Sequence, residues 1–408
     1  MHRSTDTGPI SRRQVLGGSV LTTLGLGLGG CATAPRDRLA SAPWGMAGLA
    51  PVRAAQDRVF DITVCLRPFR AAGPRLDVEQ LGDKLVVHNY GHGGSGWSLS
   101  WGSGTIAVGK AMAGSPREVA VIGCGALGLT SAILAQRAGA KVTIYAKDLL
   151  PQARSARATG SWTLDSRIAL ASVAGPAFGA VWEEMARTSF KTYRSYLGLP
   201  GDPVEWSDRY TLSDHAIAFP RRPDGPSGML DFGHYNERVR DLTPQSELLP
   251  ARSTPFDAPF VYRTTSMQFN IADYGHTLMT DFFAAGGQMR RAEFHSPADI
   301  AATVREPVVI NCTGYGARAL WQDDTVVPVR GQIAWLIPQA EVRYGVFYKD
   351  VSVLSRRDGI VVQAVEGGDM KGYNDTREVP DRAEADAAVG KIAELFSRFG
   401  AHGRTRRI

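Results

Sequence analysis

A glycine fingerprint directly after a short apolar run constrains the fold of this chain more than any other feature. Residues 118–122 read Glu-Val-Ala-Val-Ile, which is typical of a buried parallel strand, and Gly123, Gly125 and Gly128 follow. Residues 129–138 then have helical spacing, and a second apolar run comes after them. A strand, a glycine fingerprint, a helix and a second strand in this order predict a dinucleotide-binding α/β unit.

Each part of the fingerprint has its own task in a nucleotide site. Gly123 permits the tight turn, Gly125 lets the backbone approach a pyrophosphate, and Gly128 lets helix and strand pack closely. The helix N-terminus offers unpaired N–H groups and the positive end of its dipole to the phosphates, and Ala126 and Leu127 within the fingerprint are expected to contact the cofactor as well. The pattern alone does not choose between NAD and FAD.

The second strand, at residues 141–145, lacks the usual acidic residue at its end. Such a residue normally binds a ribose hydroxyl, but Ala146, Lys147 and Asp148 stand here instead. Asp148 could reach the ribose, and Lys147 could lie along the adenosine. The alternative is that both are solvated loop charges.

The first residues have the pattern of an export signal. Arg12 and Arg13 precede an uncharged stretch at residues 17–30, which is too short and too glycine-rich for an ordinary spanning helix. The stretch ends in Leu-Gly-Gly followed by Cys31, which resembles a bacterial lipobox with Cys31 as the lipidated residue. We therefore expect export by the twin-arginine route to the periplasm or cell envelope, with a membrane tether through Cys31. Cleavage without lipidation and an uncleaved anchor are the alternatives.

The charge of the chain does not favour a nucleic-acid partner. The 46 Lys and Arg exceed the 40 Asp and Glu by six. Six arginines lie near the ends: Arg3, Arg12, Arg13, Arg404, Arg406 and Arg407. The rest of the chain is balanced, so it lacks the charge excess of a basic binding face. Cys65, Cys124 and Cys312 have neither disulfide-framework nor metal-site spacing.

A second glycine-rich stretch, at residues 85–102, precedes the fingerprint. Its glycines at positions 91, 93, 94, 96 and 102 are interleaved with His92, Trp97 and Trp101. Glycines at this density allow the main chain to pack against a planar ligand and to point amides at it. Upstream, Pro68 stiffens the chain beside Arg67.

Together these stretches resemble the D-amino-acid oxidase family. The matching stretches are residues 66–70, 88–102, 119–129, 143–148, 155–162, 309–314 and 330–333. The resemblance covers most of residues 59–395, and the glycine–histidine stretch is its most specific part. It implies FAD as the cofactor and an α/β fold, in which a Rossmann-like FAD-binding domain is joined to a mixed-sheet α+β substrate domain.

The order of the matching stretches departs from the family, in which the fingerprint opens the chain and the arginine–proline and glycine–histidine stretches close it. Joining residue 400 to residue 58 would restore the usual order, so the sequence predicts a circular permutation; a misassembled gene is the alternative. The expected segments are an export signal (1–31), a tether (32–58), substrate-domain strands (59–85), part of the FAD-binding domain (86–175), mixed segments (176–300), a further FAD-binding segment (301–325) and the rest of the substrate domain (326–400).

The resemblance also implies the roles of individual residues. Arg67 would hold the substrate carboxylate, because a planar guanidinium pairs with it bidentately, and the carbonyl of Gly94 would accept a hydrogen bond from the substrate amine. Amides around the flavin ring would come from Gly93, Gly94, Gly96, Trp97 and Ser98. Further cofactor contacts would come from Ser155, Gly160, Ser161 and Thr313. No side chain is expected to act as an acid or base, and no metal is expected.

The substrate side differs from the family in two places: Gln363 and Ala364 stand where paired glycines are usual, and a tyrosine is missing. A tyrosine hydroxyl usually reaches the carboxylate at the position matching Ser352, and Tyr348 falls where a mobile lid tyrosine is often found. Since serine is too short to replace tyrosine, either Tyr348 substitutes, or the pocket is wider, or the substrate preference has moved.

The function that these observations imply is FAD-dependent oxidative deamination of D-amino acids, with hydride transfer from Cα to flavin N5 and oxygen as the acceptor, giving hydrogen peroxide. The alternatives are an exported flavoprotein of different specificity, such as an amine or glycine oxidase, or a non-catalytic FAD-binding scaffold. An NAD-dependent dehydrogenase is a third, weaker possibility.

Overall fold

A computed structural model of the chain describes residues 48–217 and 229–400. The export signal, Cys31 and most of the tether lie outside these residues. The strands are β1 (Val59–Arg70), β2 (Val78–Leu81), β3 (Lys84–His88), β4 (Glu118–Ile122), β5 (Lys141–Ala146), β6 (Val204–Ser213), β7 (Glu247–Leu248), β8 (Phe260–Phe269), β9 (Gln288–Arg291), β10 (Val308–Asn311), β11 (Val326–Leu336), β12 (Tyr344–Tyr348), β13 (Val351–Arg356) and β14 (Gly359–Ala364). The α-helices are α1 (Gly96–Ala111), α2 (Ala126–Arg137), α3 (Ala171–Ala174), α4 (Phe178–Tyr193), α5 (Ile271–Ala284), α6 (Pro297–Thr303), α7 (Ala317–Leu320) and α8 (Arg382–Ser397). Short 3-10 helices lie at Gln56–Arg58, Arg154–Arg157, Arg194–Tyr196, Asn236–Val239, Gly314–Gly316 and Gly368–Met370.

The first sheet has six strands in the order β2-β3-β10-β4-β5-β9. All neighbours run parallel except β2, which is antiparallel to β3. In β4, Val119 and Val121 pack into one hydrophobic cluster with residues of α1, α2 and α5. Ala120 and Ile122 pack into another cluster with residues of α6 and α7. Because successive side chains of a strand point to opposite faces, helices cover both faces, which explains the nearly continuous apolar run of β4.

The second sheet has eight strands in the order β1-β11-β14-β13-β12-β6-β8-β7. Alternate residues such as Val353 and Val362 pack against α8. Residues of the opposite parity, Ile333, Leu354 and Val361, form a separate cluster on the other face. This other face is the one that turns toward the six-stranded sheet, since Ile333 lines the cavity between the two sheets.

The segment at residues 59–85, expected in the substrate domain, is shared between the sheets. β1 pairs with β11 in the eight-stranded sheet, whereas β2 pairs with β3 in the six-stranded sheet. Among the described residues, no helix has the length and apolar character needed to cross a membrane, and no cluster of potential ligands could hold a metal ion.

The two ends of the described chain meet the same aromatic cluster. Near the start, the carbonyl of Ala50 accepts a hydrogen bond from the Tyr344 hydroxyl at 2.6 Å. Near the end, the ring of Phe399 packs on Phe256 with centroids 5.4 Å apart, and Phe256 packs on Tyr344. Both ends therefore lie on one side of the eight-stranded sheet.

Candidate functional site

A cavity of about 440 Å³ opens where the carboxyl ends of β4, β5 and β10 face strands β1 and β11. In open α/β sheets, ligands bind at this edge of the strands. The cavity is lined by most of the residues proposed from the sequence: Arg67, Gly93, Gly94, Gly96, Trp97, Gly123, Gly125, Ala126, Leu127, Lys147, Asp148, Ser155 and Thr313. The two glycine-rich stretches, which residues 103–122 separate in the sequence, thus form a single site.

The fingerprint makes the turn that its glycines predict. Gly123 has φ of +105°, a conformation that few residues other than glycine adopt. A Cβ on Gly128 would lie 2.0 Å from the carbonyl oxygen of Gly123, so α2 packs directly on the turn. Helix α2 begins at Ala126, whose N–H donates to Ser155 Oγ at 3.1 Å. The N-terminus of α2 therefore faces the cavity, with Ser155 beside it, as a pyrophosphate site requires.

The glycine–histidine loop places the start of α1 at the opposite wall of the cavity. The N–H groups of Gly93 and Gly94 donate to the carbonyls of Pro68 and Ser166, each at 2.8 Å, so these two amides hold the loop in place. The amides that remain for a ligand are those in the first turn of α1, which starts at Gly96. The indole of Trp97 donates to the Ser155 carbonyl at 2.8 Å and joins this wall to the fingerprint side.

His92 lines the same wall. It is 1% exposed, and neither ring nitrogen has a hydrogen-bond partner among the described residues. Burial lowers the pKa of His92 to about 3, so the imidazole is neutral near pH 7. It therefore brings no positive charge into the site.

Arg67 supplies a cation to the cavity from the middle of β1. Its guanidinium lies over Gly331, where a Cβ would come within 2.3 Å of Nη2, and Nη1 contacts the Arg330 carbonyl at 3.4 Å. No carboxylate of the described residues lies within ion-pairing distance of it, although other arginines of the fold are paired. Burial lowers the pKa of Arg67, which nevertheless stays charged at neutral pH. An unpaired, partly buried guanidinium is costly unless a ligand anion compensates it.

Two cavity arginines and a tyrosine were not proposed from the sequence. Arg154 and Arg157 line the cavity from the 3-10 helix beside the fingerprint, and Tyr315 lies under Arg154. Arg154 pairs with Glu378, whereas Arg157 donates to the Val64 carbonyl at 3.1 Å. Their positions on either side of Ser155 could have identified these two arginines from the sequence, because a pyrophosphate attracts positive charge.

The end of the cavity at β5, where the sequence predicts the adenosine, contains an acid that the sequence did not predict. Lys147 forms an ion pair with Glu293 at 3.0 Å, and both residues line the cavity together with Asp148 and Phe294. Sequence spacing gave no sign of this pair, because Glu293 lies 146 residues away and comes near only through the pairing of β5 with β9.

Some proposed cofactor residues lie outside the lining. Gly160 packs against the backbone of Phe269, where a Cβ would lie 2.4 Å from the carbonyl oxygen. The Ser161 hydroxyl bonds to Thr159 at 2.9 Å, and the Ser98 hydroxyl accepts from the Thr163 N–H at 2.9 Å. These contacts shape the segment that leads from the 3-10 helix; a contact of any of the three with the cofactor stays a prediction.

Tyr348 and Ser352 do not line the cavity either, and the structure shows why one cannot substitute for the other. They lie on the two strands of a hairpin whose turn residues, Lys349 and Asp350, both have positive φ. Across this hairpin Ser352 pairs with Phe347, so Tyr348 points to the opposite face of the sheet. There the Tyr348 hydroxyl accepts a hydrogen bond from Arg398 at 2.9 Å. The suggestion that Tyr348 takes over the carboxylate contact therefore has no support from the geometry.

The fold and the cavity define a dinucleotide-binding protein in which an arginine without a carboxylate partner shares the cavity with the glycine fingerprint. Residues 118–407 match the family described as DAO, FAD dependent oxidoreductase, and the chain belongs to this family. The expected fold and the expected cofactor, FAD, are thereby confirmed, and the NAD-dependent alternative was wrong.

Two relatives and one solved structure are similar to this chain. The chain is 25% identical over 288 residues to a D-amino-acid oxidase of Dictyostelium discoideum, covering 68% of this chain and 73% of that protein. It is 23% identical over 223 residues to a D-amino-acid oxidase of Schizosaccharomyces pombe, covering 53% of this chain and 59% of that protein. A solved structure of an L-amino acid deaminase from Proteus vulgaris aligns with a TM-score of 0.43 at 12% identity, over 69% of this chain and 80% of that one.

The residues present fit FAD. The fingerprint and α2 would hold the pyrophosphate, with Ser155, Arg154 and Arg157 at its side. The first turn of α1 would offer its amides to the ring system, where such donors stabilise negative charge on the reduced flavin. When bound, FAD supplies the oxidant for removing a hydride from a substrate carbon.

Proposed function

We propose that this protein oxidises D-amino acids, with oxygen as the final electron acceptor. The substrate loses a hydride from Cα and a proton from nitrogen, which gives the imino acid. FAD, when bound, would supply the acceptor for the hydride, and oxygen would finally take up the hydride equivalent and the proton as hydrogen peroxide. The observation that carries the proposal is the unpaired guanidinium of Arg67 in the same cavity as the FAD fingerprint. The two D-amino-acid oxidases among the relatives support the choice of substrate.

The chain's own residues position the substrate and do not transfer protons. Arg67 pairs with the carboxylate through both of its Nη groups, which fixes the orientation of Cα. The carbonyl of Gly94 accepts a hydrogen bond from the amine; the N–H of Gly94 is already engaged by Ser166. Neutral His92 leaves Arg67 as the cation that the carboxylate meets on this wall.

The enantiomers of neutral, acidic and basic amino acids, together with glycine and N-methyl amino acids, test this proposal directly. We expect peroxide and the corresponding oxo acid from D-enantiomers, with L-enantiomers at least about 100-fold slower, because one carboxylate contact and one amine contact fix the face of Cα. Turnover confined to glycine, N-methyl amino acids or L-enantiomers would contradict the substrate assignment. FAD binding without turnover of any compound would favour the scaffold alternative.

Export and lipidation are proposed from residues that lie outside the described part of the chain. We expect the full-length protein, expressed in a bacterium with a twin-arginine pathway, to be found in the envelope membrane fraction. Cys31→Ser should release it from the membrane, and replacing Arg12 and Arg13 with lysine should keep it in the cytoplasm. If both variants were found in the same cell fractions as the unaltered protein, the proposal would be contradicted.

A further inference from the structure

β5 does not end in an acidic residue, but a carboxylate from another segment of the chain lines the end of the cavity next to it. The strand ends at Ala146, and Lys147 follows it. In dinucleotide sites an acidic side chain at this end of the second strand accepts hydrogen bonds from ribose hydroxyls. A lysine cannot accept a hydrogen bond, so the acceptor for the adenosine ribose has to be another residue at this end of the cavity, and two carboxylates line it, Asp148 and Glu293.

The neighbouring strand brings an acid to the same place. β9 runs parallel to β5 with Ala146 opposite Arg291, and the N–H of Ala292 donates to the Ala146 carbonyl at 3.0 Å. The segments that follow β5 and β9 therefore leave the sheet side by side. The next residue after Ala292 is Glu293, which lines the cavity.

Lys147 holds this carboxylate at the cavity. Its Nζ lies 3.0 Å from Glu293 Oε1, and both side chains are about half exposed, so water and a ligand can reach them. The hydrogen bond from Lys147 lowers the pKa of Glu293, so the acid is ionised at neutral pH. Phe294, which also lines the cavity and packs against Tyr145, gives an apolar surface next to the charge.

We propose that Glu293 accepts the hydrogen bonds of the adenosine ribose of FAD, and that Lys147 positions it for this role. Most dinucleotide sites carry this acid at the end of the second strand, whereas here it follows the adjacent strand. The inference rests on FAD as the cofactor and is independent of the substrate, so its failure would leave the proposed D-amino-acid activity intact.

The test measures FAD affinity from the fluorescence of FAD released when the holoprotein is diluted. We expect Glu293→Gln to raise the Kd for FAD by about 10- to 100-fold, the effect of losing one charge-assisted hydrogen bond. Asp148→Asn removes the other carboxylate at this end of the cavity, and Glu184→Gln removes an exposed one on α4. Glu184→Gln is the control and should stay within about threefold of the unaltered protein, whereas Asp148→Asn should raise the Kd for FAD less than Glu293→Gln does.

FAD analogues with 2′-deoxy- or 3′-deoxyadenosine separate a ribose contact from a structural effect. The unaltered protein should bind at least one analogue about tenfold more weakly than FAD, and Glu293→Gln should bind that analogue and FAD alike. A Kd for Glu293→Gln within threefold of the unaltered protein would overturn the proposal. The proposal would also be overturned if Asp148→Asn raised the Kd for FAD more than Glu293→Gln does. It would likewise be overturned if each analogue bound more weakly than FAD by the same factor in both proteins.

Discussion

Replacing Arg67 with alanine will lower kcat/KM for the best D-amino-acid substrate by about 30- to 5,000-fold while FAD stays bound. The range corresponds to about 2–5 kcal/mol, the cost of truncating one member of a buried, hydrogen-bonded charge pair. The reason is that Arg67 lies partly buried over Gly331 without a carboxylate partner among the described residues, and in the proposed function the substrate carboxylate is its counter-ion.

Three comparisons make this result specific. Arg67→Lys keeps the charge but loses the bidentate geometry, so it should fall between alanine and the unaltered protein. Arg117→Ala removes an exposed arginine outside the cavity and should change kcat/KM less than twofold. Arg67→Ala should change kcat/KM little for a primary amine that has no carboxylate. If kcat/KM for the amine fell as much as kcat/KM for the amino acid, Arg67 would not be the residue that binds the carboxylate.

The second large effect concerns the order of the chain. We propose that the sequence is a circular permutation, because the family match begins at residue 118 while the elements before it complete the site. β1 supplies Arg67, β3 pairs with β10, and α1 presents its first turn to the cavity. A chain consisting of residues 118–400 alone lacks all three, and we expect it to lose FAD binding entirely.

Restoring the family order should restore the cofactor site. The ends of the described chain meet at the aromatic cluster of Phe256 and Tyr344, where Ala50 contacts Tyr344 and Phe399 contacts Phe256, so residues 48–57 can lead from residue 400 to residue 58. A rearranged chain that runs from residue 118 to 400 and continues with residues 48–112 should bind FAD and turn over substrate. Its melting temperature and flavin content, compared with those of the unaltered protein, provide the measurement.

The opposite result would be equally clear. If residues 118–400 alone bound FAD stoichiometrically, the segment before residue 118 would not be part of the site. If the rearranged chain folded without FAD, the two ends would not be joined in the manner proposed. Intact mass of the mature protein gives an independent control, since a chain beginning near Val119 would show that the natural protein lacks the earlier segment.

The parts of the site that the sequence predicts are those that one stretch of chain determines by itself. The fingerprint needs only the order of a strand, three glycines and a helix, and Gly123 and Gly128 make the contacts that this order requires. Arg67 was found because a specific motif surrounds it. Each of these features is local, so the later course of the chain does not alter it.

The residues that sequence reasoning missed or misplaced depend on neighbours in space. Glu293 reaches the nucleotide edge only because β9 pairs with β5. Tyr348 was separated from Ser352 by counting along the chain, but a tight hairpin between them places the two on opposite faces. The amides of Gly93 and Gly94 looked available to a flavin, yet the carbonyls of Pro68 and Ser166 already engage them. Register and partners of this kind are set by tertiary packing.

The most direct test of the central claim is anaerobic mixing of the purified, FAD-loaded protein with a D-amino acid. The account predicts that the oxidised flavin absorbance bleaches with the D-enantiomer, that the L-enantiomer leaves it unchanged on the same timescale, and that Arg67→Ala slows the bleaching by about two orders of magnitude or more. A flavin that stays oxidised with every D-amino acid, in a protein that retains FAD, would contradict it.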